Sequence, residues 1–409
     1  MGVVLFAAAS LLTALAPGEG VLIGGRALQG VGGAVLTTTS LALLRVTWAG
    51  QAGRAIGLWT SPTSLATVGG PVLGGIIAQT TSWRWVFLIN VPLAAVTVAL
   101  GLAGRGEDER MQGRSTLDFV GSALVAVALV GISFALVEVR ERGLEQVLPF
   151  LVVGVAALVG LVVWTLRARD PVVPPALLRR PGLAAANLVT LVIYAAFGAH
   201  LLFLPVYMQF LGFAPTLAGL VFAPPSIGLI LLAPRFGRYA DRNGPRLPIA
   251  AGAVAIGISV LLLLPVTSRA EAWTWGVASI CLFALGLAAV VAPITAAALS
   301  PAPEELAGVA AGLNQTVARV GAILSVAAVG ALAGVLFVGQ GGTGDTPFDP
   351  SAVGSVRAAG IDAFHGVVLS VAGLAFLASV LAAALLRGHR QRRTPSSVSS
   401  ATLRSSPPA

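Results

Sequence analysis

Two arginines interrupt long apolar stretches of this chain, and each lies close to a glutamine. Arg26 is followed by Gln29, while Gln315 and Arg319 stand four positions apart and share one helix face. A guanidinium in an apolar helix is costly, so it is normally paired or faces a water-filled cavity. These four residues are therefore candidates for a polar site inside an apolar protein.

Each arginine also has a simpler interpretation. Arg26 stands six residues into its apolar run, so it could extend to the outer interface or pair with backbone carbonyls. Arg319 follows Glu304 and Glu305, so an interfacial salt bridge is as good an explanation as a cavity role. The sequence leaves both alternatives open.

Tyr194 and His200 are further cavity candidates, because both lie in the apolar run 184–206. Imidazole titrates near pH 6.5 in the absence of perturbation, so His200 could carry protons. A single histidine near the outer end of a helix is more often a packing residue. Both interpretations stand at this stage.

The remaining chemistry argues against an enzyme. The chain has no lysine, which excludes a P-loop lysine and a pyridoxal Schiff base. The three histidines are far apart in sequence, and the single cysteine, Cys281, lies in an apolar run. We therefore expect no catalytic residues, no metal and no cofactor.

Composition places the chain in a membrane. Of its 409 residues, 56% are hydrophobic and only 10% are charged, and the mean hydropathy is +0.92. The net charge of +9 is spread over short segments between apolar runs, so it forms no basic domain and predicts no nucleic-acid partner. The lipid bilayer is the expected environment.

At about 20 apolar residues per crossing, the chain holds twelve candidate spans. They lie at 2–17, 21–44, 55–79, 84–104, 119–138, 147–167, 184–206, 216–234, 247–267, 272–297, 307–338 and 363–386. If the chain enters from the cytoplasm, eighteen loop and tail arginines fall on the inner side and five on the outer side. The positive-inside rule then predicts a multi-pass plasma-membrane protein with both termini in the cytoplasm.

One predicted span contains an unusual glycine and proline pattern. Gly70, Pro71, Gly74 and Gly75 lie in the run 66–75, where proline removes a helix hydrogen bond and glycines admit a close neighbour. The string Trp-Arg-Trp-Val-Phe-Leu-Ile-Asn-Val-Pro follows at 83–92. Together these strings resemble the antiporter motif and the next span of the major facilitator, EmrB/QacA-type drug:proton antiporters, which have fourteen spans.

A charged loop supports the same resemblance. The segment 237–246 is predicted to join two spans on the inner side, and it is similar to the Gly-x-x-x-Asp-Arg-x-Gly-x-Arg loop of major facilitator proteins. Its matching residues could form a latch that holds one conformation, with the acid paired to arginines or to a helix N-terminus. They are Gly237, Asp241, Arg242, Gly244 and Arg246. An ordinary positive-inside loop is the alternative.

The resemblance implies an all-α integral membrane protein of the major facilitator fold, with about 12 of 14 expected transmembrane helices. By its motifs, 1–104 holds four spans of a first bundle, 119–167 two linking spans, 184–386 a six-helix second bundle and 387–409 a disordered cytoplasmic tail. The first two spans of the family are expected to be missing. Such truncation would permit an inactive remnant.

The implied activity is export of small amphipathic organic molecules, such as drugs, antibiotics or metabolites, in exchange for protons by alternating access. The family's arginine that matches Arg26 takes part in proton coupling. We expect a monomer whose partners are the small-molecule substrate, protons and the bilayer. A solute:proton symporter is the alternative from another class.

Overall fold

The computed structural model describes most of the chain as α-helices. The described residues are 2–48, 51, 54–56, 58–59, 77, 80–103, 119–167, 177, 179–219, 221, 223–303, 306–343 and 346–386. Within these ranges there is no β-strand. This agrees with the all-α prediction.

The first three long helices form one group. Helix α1 spans Gly2–Ala14 and α2 spans Glu19–Thr47, while α3 spans Arg84–Ala103 with a break at Ile89. Helix α1 packs against both α2 and α3. The residues between α2 and α3 include most of the predicted span at 55–79 and the predicted antiporter motif, which lie outside the described residues.

Two further helices form a tight hairpin. Helix α4 spans Phe119–Arg142 and α5 spans Leu144–Arg167, joined by Gly143 in the left-handed region. A Cβ built on Gly131 would lie 2.9 Å from the Cα of Gly154, so glycine lets the two backbones touch. Small residues therefore fix where these helices cross.

The last six helices pack around one large apolar core. They are α6 (Pro181–Phe210), α7 (Ala223–Asn243), α8 (Arg246–Leu261), α9 (Arg269–Leu299), α10 (Ala307–Gly339) and α11 (Gly354–Leu385). Helix α9 contains a π-helical turn at Ala272–Gly276. Helices α6, α7 and α8 each pack against α9, while α10 also contacts α2 and α4 from the first part of the chain.

Seven helices in the described part of the chain are long and apolar enough to cross a bilayer. Three shorter apolar helical stretches are α1 at Gly2–Ala14, the part of α4 at Ala123–Ala135, and α8 at Arg246–Leu261. Helix α2 is in neither group. The twelve-span count therefore remains a prediction.

Several predicted boundaries differ from the helix ends by more than a helical turn, and two of them differ by nine residues. Helix α7 continues nine residues beyond its predicted end at 234, and α11 begins at Gly354 instead of 363. Hydropathy marks only the apolar part of a helix, whereas the backbone hydrogen bonds continue into the polar region beyond it. The predicted inner loop 237–246 is therefore mostly helical.

Candidate functional site

The Arg26 guanidinium is held by a chain of polar side chains between helices. Its Nη1 donates a hydrogen bond to Gln29 Oε1 at 2.5 Å, which lies one helical turn later on α2. Gln29 is buried, and its Nε2 donates to Ser10 Oγ on α1 at 2.7 Å. Asn90 on α3 donates to the same hydroxyl at 3.5 Å. We call Arg26, Gln29, Ser10 and Asn90 the polar chain.

The environment of Arg26 is mixed. Its side chain lies on the exposed side of α2, and its Cζ is 5.5 Å from the centroid of the Phe87 ring. The hydrogen bond to Gln29 leads from this exposed cation to a buried amide and a fully buried serine. The arginine is therefore paired through a side chain and not through a backbone carbonyl of its own helix.

Sequence reasoning identified Arg26 and Gln29 but missed Ser10 and Asn90. Ser10 has no distinguishing context, since it lies among alanines and leucines in α1. Asn90 lies within the 83–92 string that carried the family resemblance, and this was the only signal that could have found it. Its role depends on contact with a residue 80 positions away.

Aromatic rings on α6 and α9 surround the two other cavity candidates. Tyr194 meets Phe197 edge to face at 5.8 Å, and Phe197 stacks on Phe283 at 6.1 Å. The His200 ring lies 4.3 Å from the same Phe283 ring. Tyr194 and His200 thus belong to one aromatic cluster.

Helix α10 divides its polar residues between two environments. Arg319 is exposed and donates no hydrogen bond to another described residue, while Gln315 is half-buried. The buried residue is Asn314, whose Nδ2 donates to Thr190 Oγ1 at 2.9 Å and to Asn187 Oδ1 at 3.3 Å. Asn314 therefore joins α10 to α6, while Gln315 and Arg319 remain available to a cavity.

Asn314→Ala is expected to lower the free energy of unfolding by about 1 kcal/mol, the scale of one buried interhelical hydrogen bond in a membrane protein. The loss leaves Asn187 and Thr190 with fewer partners in an apolar interface. Denaturant unfolding in detergent micelles measures this change in the free energy of unfolding. The matched control is Gln315→Ala on the same helix, and an equal loss in that variant would refute the bridging role of Asn314.

The predicted latch residues lie at the end of α7. Asp241 Oδ2 accepts a hydrogen bond from the backbone N–H of Arg54 at 3.1 Å, although the two residues are 187 positions apart. Gln51 is not helical and residues 54–56 are, so the Arg54 N–H belongs to the first turn of a helix and the carboxylate lies at a helix N-terminus, as one interpretation of the sequence expected. This contact connects the first part of the chain with the last six helices.

Only one of the two glycines of this segment makes a turn. Gly244 adopts φ +91° and follows the last residue of α7, where glycine permits a tight turn. Gly237 lies buried inside α7 and makes no turn. Arg242 and Arg246 are both exposed, so they present positive charge beside the contact of Asp241.

One predicted site cannot be compared with the structure. Gly70, Pro71, Gly74 and Gly75 lie outside the described residues, so the bent antiporter helix remains a prediction. Among the described residues, no group of three or more histidine, cysteine or acidic side chains could hold a metal ion.

The geometry is that of a helical membrane protein with polar side chains between its spans, and comparison with known proteins identifies the family. The model of the Major Facilitator Superfamily matches residues 1–326. The chain belongs to this superfamily. The structure of the human organic anion transporter MFSD10 has the same fold, with a TM-score of 0.56 and 13% identity, over 93% of this chain and 75% of that one.

Relatives of this superfamily member carry names of drug and antibiotic resistance proteins. It is 31% identical to the multidrug resistance protein Stp of Mycobacterium tuberculosis, over 81% of this chain and 62% of that protein. It matches the tetracenomycin C resistance and export protein of Streptomyces glaucescens at the same identity and coverage. With the puromycin resistance protein pur8 of Streptomyces alboniger it shares 29% identity over 94% of this chain and 77% of that one. The chain thus spans about three fifths of the length of the first two relatives.

Proposed function

We propose that this superfamily member exports small amphipathic organic molecules in exchange for protons, by alternating access of a cavity between two helix bundles. Membership of the superfamily and the resistance names of its relatives support a transporter of drug-like molecules. The observation that carries the coupling is the polar chain, which connects the exposed cation of Arg26 to a buried amide and a buried hydroxyl between apolar helices. A guanidinium close to a carboxyl group lowers the pKa of that group and so favours loss of its proton. Arg26 would act in this way on a carboxyl group that comes near it, and this would link proton release to substrate binding.

The contact between Asp241 and Arg54, which we call the inner contact, supports the alternating-access part of this proposal. Alternating access requires the inner ends of the two bundles to separate and close again. In this structure, Asp241 joins the end of α7 to the backbone N–H of Arg54. We propose that this bond stabilises the state in which these inner ends are together.

Everted membrane vesicles test the direction and coupling of transport. Respiration acidifies their lumen and quenches a pH-sensitive dye, and added puromycin should reverse the quenching only where this chain is expressed. Vesicles with an Arg26→Ala variant are the matched control. Drug-dependent uptake into intact cells would favour the symporter, and no response in either system would favour the inactive remnant.

The fourteen-span type is a separate part of the proposal. Genomic DNA upstream of Met1 can be read for an open frame that encodes two further spans and a Gly-x-x-x-Asp-Arg loop. In-frame stop codons there would contradict it. A reporter fused to each end of the chain tests the proposed cytoplasmic position of both termini, and light scattering in detergent tests the monomer.

A further inference from the structure

Helix α7 has one buried face and one exposed face. Leu229, Ala233 and Gly237 stand four residues apart and are buried. On the exposed face the residues also recur every three or four positions, so they share one side of the helix. They are Ile227, Leu231, Arg235, Arg238 and Arg242. This face is therefore apolar first and changes to arginine towards the end of the helix. We call Arg235, Arg238 and Arg242 the basic stripe.

The basic stripe lacks an anionic partner within the described part of the chain. None of its guanidinium groups forms an ion pair there, and Arg235 donates only to the Leu231 carbonyl of its own helix. The acid beside the stripe, Asp241, accepts a hydrogen bond from the Arg54 backbone. Like charges three or four positions apart on a helix repel one another, so an anion bound across them would stabilise the helix end.

The residues around the basic stripe place it at a bilayer interface. Ile227 and Leu231 are 55% and 56% exposed, which suits contact with acyl chains. Tyr239 is also exposed, and tyrosine is enriched where hydrocarbon meets water. From Arg235 to Arg242 the helix rises about 10 Å, which is enough to cross the headgroup layer of one leaflet. The positive-inside rule predicts that this is the inner leaflet.

A general attraction of arginines to the inner surface does not explain this arrangement. Such attraction needs charge near the surface but no common helix face. Arg167 ends α5 and Arg179 precedes α6, and both are exposed without a neighbouring stripe of this kind. The guanidinium group presents a planar set of donors that matches the oxygens of a phosphate. Arginines aligned below exposed apolar residues therefore match a molecule with a phosphate at one end and hydrocarbon at the other.

We propose that the basic stripe binds the headgroup phosphate of an anionic phospholipid in the inner leaflet, with the acyl chains against Ile227 and Leu231. Arg238 and Arg242 are one turn apart, and neither donates a hydrogen bond to another described residue, so both can donate to phosphate oxygens. A phosphatidylcholine headgroup adds a cation that the stripe repels, whereas phosphatidylglycerol adds none. Lipid binding at this site needs neither a transported substrate nor a proton, so it is independent of the proposed export.

A competition between two lipids tests the inference on the full chain in detergent micelles. Phosphatidylglycerol and phosphatidylcholine with identical acyl chains are added in equal amounts, and native mass spectrometry counts the lipids that the protein retains. Phosphatidylglycerol should be retained at least about fivefold better, which is the factor expected from one arginine beside an anionic lipid. Salt should reduce this preference, because it screens exposed charges. Equal retention of the two lipids by the wild type would overturn the inference without any variant.

A double variant locates the site without changing the predicted latch residues. Arg235→Gln combined with Arg238→Gln should bring the retention of the two lipids close to equality. Arg235→Lys combined with Arg238→Lys keeps both charges and should keep most of the preference. The matched control is Arg167→Gln combined with Arg179→Gln, which removes the same charge from the same predicted side and should retain the wild-type preference.

Three results would contradict the proposed site. A preference that survives in the Arg235 and Arg238 glutamine variant would place the lipid elsewhere. An equal loss in the Arg167 and Arg179 variant would show that total charge, and not the basic stripe, selects the lipid. Displacement of the retained lipid by excess inorganic phosphate would show an anion site that does not require a lipid. Export measured in vesicles can succeed or fail without affecting any of these results.

Discussion

Arg26→Ala is expected to abolish export against a concentration gradient while protein abundance in the membrane stays near the wild-type level. The guanidinium is the cation of the polar chain, so its removal leaves no positive charge beside Gln29 and Ser10. Insertion should not suffer, because an arginine in mid-helix costs roughly 2.5–3.5 kcal/mol on translocon scales. Efflux of preloaded puromycin from cells, together with immunoblots of membrane fractions, measures both quantities.

One substitution separates the effect of charge from that of geometry at position 26, and a second, elsewhere in the chain, is its control. Arg26→Lys keeps the charge but loses the planar group of donors, so we expect it to restore little export. Arg269→Ala is the matched control, since the Cζ of that arginine lies 5.0 Å from the centroid of the Phe213 ring at the N-terminal end of α9 and is not part of the polar chain. Export by Arg26→Ala at the wild-type rate would make the arginine structural and the coupling mechanism wrong.

The remaining members of the polar chain predict a graded series. Gln29→Leu should remove both of the hydrogen bonds that connect Arg26 to Ser10, and so approach the Arg26→Ala phenotype. Asn90→Leu should have the smallest effect, because its contact with Ser10 is 3.5 Å long. The reverse order would show that the chain does not act through Arg26.

Asp241→Ala is expected to weaken the inner contact and to slow export several-fold, because the carboxylate is the acceptor for the Arg54 backbone N–H. A carboxylate at a helix N-terminus contributes typically 0.3–1 kcal/mol, so the population of the closed inner face should fall by up to about fivefold. Amide hydrogen exchange of the peptide that contains Arg54 reports the loss directly. Exchange there should accelerate while α8 and α9 are unaffected.

Arg54 supplies unusually selective controls, because its backbone and not its side chain makes this bond. Arg54→Ala keeps the N–H and should leave exchange and export near the wild type. Arg54→Pro removes the N–H, and proline is tolerated in the first turn of a helix, so this variant should reproduce Asp241→Ala. If Arg54→Ala slows export as much as Arg54→Pro does, the guanidinium matters and the proposed latch is wrong.

The sequence by itself determined the membrane class and the approximate positions of most helices. Apolar length is a local property, so 84–104 and 307–338 agree with α3 and α10 to within one residue. The contact between Arg26 and Gln29 could also be predicted from the sequence, because residues three positions apart meet on a helix. Helix ends were less predictable where polar residues continue the helix beyond the apolar run, as in α7 and α11.

Only the tertiary structure decided which polar groups meet. Ser10 with Gln29, Asn314 with Thr190 and Asp241 with Arg54 are 19, 124 and 187 residues apart. Such contacts depend on the rotation and spacing of each helix, which are set by close approaches such as that of Gly252 to Gly286 on α9. Hydropathy carries no information on rotation, because lipid-facing and buried side chains in a membrane protein are equally apolar.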